Sequence, residues 1–188
     1  MKIFGIDPGS ERTGYGCIET DGSRHRLVIC GAIGAAPSVD FSERLLIIHD
    51  GLRALLEEHR PDAVAIEDIF YARNVRSALK LGHARGVALL AATEAGVPVT
   101  AYSPAEVKRA VVGYGRAEKQ QVQRMVCLLL GLTAAPSPYD ASDALAIAIC
   151  HLHTAAPAGT RVPVPIATGL PRTWRRFDPS MHSSKKLH

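Results

Sequence analysis

A chain of 188 residues, 47% hydrophobic and 21% charged, has the length of one ordinary domain with a short appendage and enough apolar content for a core. No run approaches the ~18 apolar residues of a membrane span, and the chain starts on a strand-like run, without a charged segment and apolar signal, so the cytoplasm is the expected address. Cys17, Cys30, Cys127 and Cys150 are too scattered for a Cys-x-x-Cys pair and read as reduced, mostly buried thiols.

The net charge of +4 is uneven: residues 155–188 hold six Lys/Arg against Asp178 alone, and residues 73–124 carry nine basic side chains against three acidic ones. Such a distribution suits a polyanion lying near carboxylates, or ordinary charge segregation.

In chain order, Ile3 to Ile6 is a short apolar run that stops on Asp7-Pro8-Gly9-Ser10, a buried strand entering a turn. Asp7 therefore sits at a strand end, either as a functional carboxylate or as an Asx-type turn residue. Thr13 to Glu19 and Arg26 to Ile33, separated by Asp21-Gly22-Ser23, predict hairpins that continue the first strand as an antiparallel meander. Asp40 and Glu43 form a capping-box pattern ahead of Leu45, Leu46, Ile48, Leu52, Leu55 and Leu56, an amphipathic helix that ends before Pro61. Ala63 to Ile66 is a second buried strand; its placement after a helix predicts a parallel crossover that sets Glu67 beside Asp7.

Residues 73–95 predict a long helix with an apolar face of Val75, Leu79, Val87, Leu90 and Ala91 and a C-cap at Gly96. Arg73, Arg76, Lys80 and His83 share a face as a basic stripe, while Gly82 and Gly86 one turn apart permit a close backbone contact. Val97 to Tyr102 reads as a fifth strand, and Ser103-Pro104-Ala105-Glu106 opens a short helix carrying Lys108 and Arg109. After Gly113-Tyr114-Gly115, a helix from Ala117 to Leu130 brings Lys119 and Arg124. The last helix starts near Pro138; Asp140 and Asp143 point the same way from its first turn, and Ala144 to Ile149 is apolar throughout. Acids there also favour the helix dipole, so capping competes with function as their reason.

Asp7, Glu67, Asp140 and Asp143, converging from three elements, would form an oxygen-only site suited to Mg²⁺ or Mn²⁺. Two such ions activate water and stabilise a leaving oxygen in phosphodiester hydrolysis. The basic segment would hold the nucleic acid.

At this point the sequence closely resembles the RuvC family of Holliday junction resolvases, in the ribonuclease H-like superfamily. The likeness covers about residues 2–154: Gly5-Ile6-Asp7-Pro8-Gly9-Ser10, Thr13-Gly14-Tyr15-Gly16, Ala65-Ile66-Glu67, Ser77 to Gly82, Ala84-Arg85-Gly86, Val111-Val112-Gly113, Ala117-Glu118-Lys119 and Asp140 to Ile149. It implies an α/β fold with a five-stranded mixed sheet flanked by helices, acting as a homodimer that makes paired symmetric nicks in four-way junction DNA during recombination and repair. The four acids match the family's catalytic metal ligands, holding two Mg²⁺ per subunit with Mn²⁺ able to substitute. Lys108 and Lys119 match lysines associated with DNA binding, and Phe70 the aromatic that stacks on a base. Tyr71, Arg73, Asn74, Arg76 and Lys80, around Phe70 and on the basic stripe, complete the expected DNA contacts. The resemblance also implies the RuvA–RuvB branch-migration complex as partner and no membrane.

Two rivals stand beside this reading. Gly-Ile-Asp-x-Gly-Ser also resembles the first phosphate loop of sugar kinases and chaperone ATPases, although 188 residues leave no room for their duplicated domain. A junction-binding module without catalysis would lack an acid, and all four are present. Residues 155–188 form a basic tail expected to be flexible, with Trp174 and Phe177 able to support a docked segment.

Overall fold

β1 (Lys2–Asp7) is buried on both faces, so its residues divide by alternation: Ile3 and Gly5 face one layer of helices, Phe4 and Ile6 the other. The computed structural model describes residues 1–22, 24–68 and 74–154. The expectations for Phe70, Tyr71 and Arg73, and for the tail with Trp174 and Phe177, lie outside these residues.

β2 (Arg12–Thr20) pairs antiparallel with β1, and β3 (His25–Gly34) pairs antiparallel with β2, giving the expected meander. α1 (Phe41–His59) then carries the chain back to β4 (Ala63–Glu67), which lies parallel to β1 with Ile6 opposite Ile66. β5 (Val99–Tyr102) adds parallel to β4, and the sheet order is β3-β2-β1-β4-β5. The register carries the key consequence. Asp7 follows Ile6 and Glu67 follows Ile66, so both acids stand at the same sheet edge and, by alternation, on the same face as Gly5 and Ala65.

That face is covered by α3 (Pro104–Val112), α4 (Lys119–Leu130) and α5 (Tyr139–Thr154), packed through Val107, Val111, Val122, Val126, Leu145 and Ile149. α3 has the capping box read from Ser103 and Glu106, with Pro104 in its first turn. α4 starts two residues later than expected, at a box formed by Glu118 and Gln121. The four cysteines are free; Cys17 and Cys150 are buried, Cys30 and Cys127 half-buried.

The opposite face carries α1 and α2 (Val75–Glu94), and here two expectations fail. The Asp40 side chain makes no cap hydrogen bond, so the capping box at α1 does not form. α2 buries Ala84, Ala88, Ala91 and Ala92, with Val87 and Leu89 partly buried against the same core, so of the expected face Val87 and Ala91 point inward and Val75, Leu79 and Leu90 do not. Alanines at a spacing of four, three and one bring the helix axis close, and Val75, Leu79 and Leu90 turn outward, 76%, 61% and 51% exposed. Gly82 and Gly86 are also outward: a Cβ added to either meets nothing within 4 Å. The close contact that they permit is not made among the described residues. α2 ends at Glu94 with Ala95, not the expected Gly96, as its C-cap; Gly96 lies just beyond in the left-handed region at φ 70°.

Candidate active site

The site begins with how tightly α5 lies on the sheet. A Cβ on Gly5 would stand 2.0 Å from the Ala144 carbonyl oxygen, and one on Gly14 would stand 2.1 Å from that of Asp140. Only glycine lets backbone meet backbone at these points. Gly14 lies opposite Asp7 in the β1–β2 ladder, so this contact places the first turn of α5 over the strand end that bears Asp7. From Ala144 to His151 every residue of α5 is buried, which fixes the rotation of the helix and hence the direction of Asp140 and Asp143.

Asp7, Glu67 and Asp143 line one cleft of about 410 Å³, walled by Pro104, Val107, Val122 and Ile147 and edged by Lys108 and Lys119. Asp140 instead borders a neighbouring open basin, with Arg12, Arg44 and Lys80 on its rim; Arg12 Nη1 is 3.8 Å from Asp140 Oδ2. Three of the expected acids thus share a cleft, and the fourth, on the same helix turn, borders the adjoining basin while its charge still acts on Asp7.

Charge is crowded there. Burial, followed by the charges of Glu67, Asp143 and Asp140, pushes Asp7 up to about 8 from an ordinary carboxylate value, against a lowering by Lys119. Glu67 is also raised, by burial and by Asp143, with Lys119 and Lys108 opposing. Lys119 Nζ stands 2.6 Å from Asp143 Oδ2 and 5.6 Å from the centre of the Tyr139 ring. Although burial lowers it, the hydrogen bond and charge of Asp143, with Asp7 and Asp140 behind, hold Lys119 above the ordinary lysine value.

Among the described residues no three His, Cys, Asp or Glu side chains close around a point where an ion would sit. The donor chemistry nevertheless fits a hard divalent cation: the acids offer oxygen only, and the nearby cations Lys119, Lys108 and Arg12 leave Asp7 and Glu67 raised by their mutual repulsion and burial.

The expected DNA contacts divide. Lys108 edges the cleft as anticipated, whereas Lys119 is engaged with Asp143. Arg76 is exposed, and Lys80 is on the basin rim with its ammonium 5.6 Å from the Phe41 ring centre. The Asn74 side chain caps α2 by accepting from the Arg76 amide at 2.9 Å. Sequence reading missed Arg12, Arg85 and Tyr139. Arg85 lies in the quoted Ala-Arg-Gly motif and Tyr139 directly precedes Asp140, but no spacing marks either as part of a site.

A five-stranded mixed sheet with acids at the ends of adjacent parallel strands and on the helix laid across them defines the class: a ribonuclease H-like nuclease. The family model described as crossover junction endodeoxyribonuclease RuvC matches residues 3–151. The chain belongs to the RuvC family and is a crossover junction endodeoxyribonuclease. It is 52% identical over 155 residues to the crossover junction endodeoxyribonuclease RuvC of Chloroflexus aggregans, covering 82% of this chain and 94% of that one. The RuvC of Trichlorobacter lovleyi is 47% identical over 179 residues, 95% of this chain and 100% of that one, so the likeness extends past residue 154. The structure of Thermus thermophilus RuvC in complex with a Holliday junction substrate superposes with a TM-score of 0.75 at 40% identity, covering 81% of this chain and 94% of that one.

Proposed function

We propose that this enzyme resolves Holliday junctions by paired nicks, with Asp7, Glu67 and Asp143 holding Mg²⁺ and Asp140 assisting from the basin side. The observation that carries the reading is the cleft in which three half-buried acids meet two lysines. When bound, Mg²⁺, or Mn²⁺ in its place, supplies activation of water and stabilisation of the leaving oxygen. The chain's own residues prepare that chemistry. Burial withholds water from the Asp7 and Glu67 carboxylates, so their charge favours a divalent cation strongly. Lys108 offers its ammonium to the phosphate at the rim. Release of Asp143 frees the Lys119 ammonium for the same backbone, so loading the acids and engaging the DNA are coupled.

Phe70, three residues after Glu67 in the sequence, matches the aromatic that stacks on a base in the family it resembles; stacking of this kind contributes about 1–3 kcal/mol. Tyr71, Arg73, Arg76 and Lys80 continue the contact along the basic stripe. The RuvA–RuvB complex as partner rests on the family resemblance, and the cytoplasmic address on the DNA substrate. Incubation with a synthetic four-way junction and Mg²⁺, alongside linear duplex, tests the function: symmetric nicks in the junction alone are expected, and equal cutting of the duplex would overturn junction selectivity.

Two opposed cuts call for two sites related by a two-fold axis. The outward face of α2 supports a homodimer: Gly82, His83, Gly86, Val87 and Leu90, with Leu45 of α1, line an open groove of about 440 Å³, and Leu46, Leu79 and Leu90 are exposed beyond what a free surface favours. Gly86→Leu meets no clash at its Cβ among the described residues, none of which lies within 4 Å of that point. Sedimentation is expected to show at least a tenfold weaker dimer for this variant with an unchanged melting temperature; an undiminished dimer would place the interface elsewhere.

A further inference from the structure

We propose that Arg85 is a positioning residue for the Glu67 carboxylate, and that through it α2 sets the geometry of the cleft. This rests on the reading of Glu67 as a metal ligand given above. Arg85 leaves α2 between the buried Ala84 and Ala88 and the open Gly82 and Gly86, so it belongs neither to the core face nor to the outward face. Its guanidinium ends on the carboxyl terminus of β4. Nε donates to the Glu67 carbonyl oxygen at 3.1 Å, and Nη2 stands 3.1 Å from Asp68 Oδ1. The Arg85 side chain is 22% exposed and its bond to the Glu67 carbonyl is partly buried, whereas Asp68 is 52% exposed, so the backbone contact is the one less weakened by solvent screening.

One contact acts on the Glu67 backbone and the other on the Asp68 side chain; neither touches the Glu67 carboxylate. β4 ends at Glu67, where its last ladder partner is Tyr102, and the Asp68 amide donates to the Tyr102 carbonyl oxygen at 2.8 Å. A carbonyl gripped by Nε and a side chain gripped by Nη2 fix the peptide on either side of the Glu67–Asp68 junction, and so fix where the Glu67 side chain projects. A single planar group with two donors in fixed relation suits this task; an ammonium makes a point contact and cannot serve both acceptors with the same geometry. The same fork ties β4 to α2, the helix whose outward groove is the dimer face proposed above. A shift of α2 on association therefore moves the strand end that carries Glu67.

Arg85→Ala, Arg85→Lys and Glu67→Gln, compared with the parent chain, test the proposal. Outer groups that orient metal ligands typically change affinity or activity by about 10–100-fold. Arg85→Ala is expected to weaken Mn²⁺ binding in the absence of DNA, followed by electron paramagnetic resonance, by about tenfold. It should also raise the Mg²⁺ concentration for half-maximal nicking to a similar degree, while junction binding in Ca²⁺ stays within twofold. Added guanidinium at millimolar concentration should restore part of the loss in Arg85→Ala and none in Arg85→Lys, which retains the charge and a folded chain but lacks the fork. Parent-like Mn²⁺ affinity in both variants, or a loss that tracks only the folded fraction by thermal melting and ignores guanidinium, would reduce Arg85 to a packing residue. Normal Mn²⁺ binding and nicking by Glu67→Gln would instead overturn the metal-ligand reading itself.

Discussion

Asp7→Asn, Glu67→Gln and Asp143→Asn each lower junction cleavage in Mg²⁺ by on the order of 10²–10³-fold or more, while junction binding in Ca²⁺ changes little. Each exchange removes a charge from the cleft at nearly constant volume, so the fold has no reason to fail. Asp140→Asn is milder, because Asp140 faces the basin and its carboxylate is partly neutralised by Arg12 at 3.8 Å. Asp7 carries a second consequence. Its folded pKa of about 8 lies above the ordinary 3.8, so the stability it contributes as a protonated acid is fully present below pH 3.8 and lost as pH rises through about 8. The metal-free parent should therefore lose stability between these limits, and Asp7→Asn should remove that slope, raising neutral-pH stability in chelator by about 0.5–2 kcal/mol. Nicking assays and melting curves with and without chelator measure both effects. Near-parent nicking by the Asp7 and Glu67 variants would refute a shared metal site.

Gly14→Ala is expected to damage activity severely for a single added methyl. The added Cβ would stand 2.1 Å from the Asp140 carbonyl oxygen and 2.5 Å from its carbon, both backbone atoms that no rotamer change can move. α5 must lift, and with it Asp140 and Asp143. Overpacking of this kind costs about 1–3 kcal/mol, and more where backbone must shift. Cleavage should fall further than the folded fraction does, because the misplaced acids are in the surviving folded molecules. Gly82→Ala is the contrast: its Cβ meets nothing within 4 Å, and an alanine in mid-helix stabilises by about 0.5–1 kcal/mol. Denaturant melts and nicking rates measured together on the two variants check the contrast. Equal stability for both would mean that α5 is not seated as described.

The central elements were legible because their signals are local. β1 and β4 read as apolar runs ending on an acid, and the helix between them required a parallel crossover, which alone puts Asp7 and Glu67 at one edge. α5 was legible from its unbroken apolar run after Asp140 and Asp143. What periodicity could not settle was which face of a helix the sheet accepts. In α2, large residues and alanines both recur at helical spacing, and the choice of the alanine face depends on the distance between layers, a tertiary quantity. The divergence of Asp140 from Asp143 escaped for a related reason: a spacing of three puts two side chains on one side of a helix but about 60° apart, enough for the seat on Gly14 to send one to the cleft and the other to the basin. Arg85 and Arg12 were invisible because their partners are reached through space, from α2 to β4 and from β2 to α5.

The burial of α5 from Ala144 to His151 also bears on how the enzyme dies when heated. Many active sites sit on loosely held loops that open well before the domain does, so activity fades while the fold survives. Here Asp7 and Asp143 are carried by the strand and helix at the centre of the molecule, in backbone contact with each other's elements. No partial opening frees these two acids without exposing the core itself. Inactivation at this part of the site and collapse of the domain are one event, and a preparation that has kept its cooperative melt has kept Asp7 and Asp143 in place.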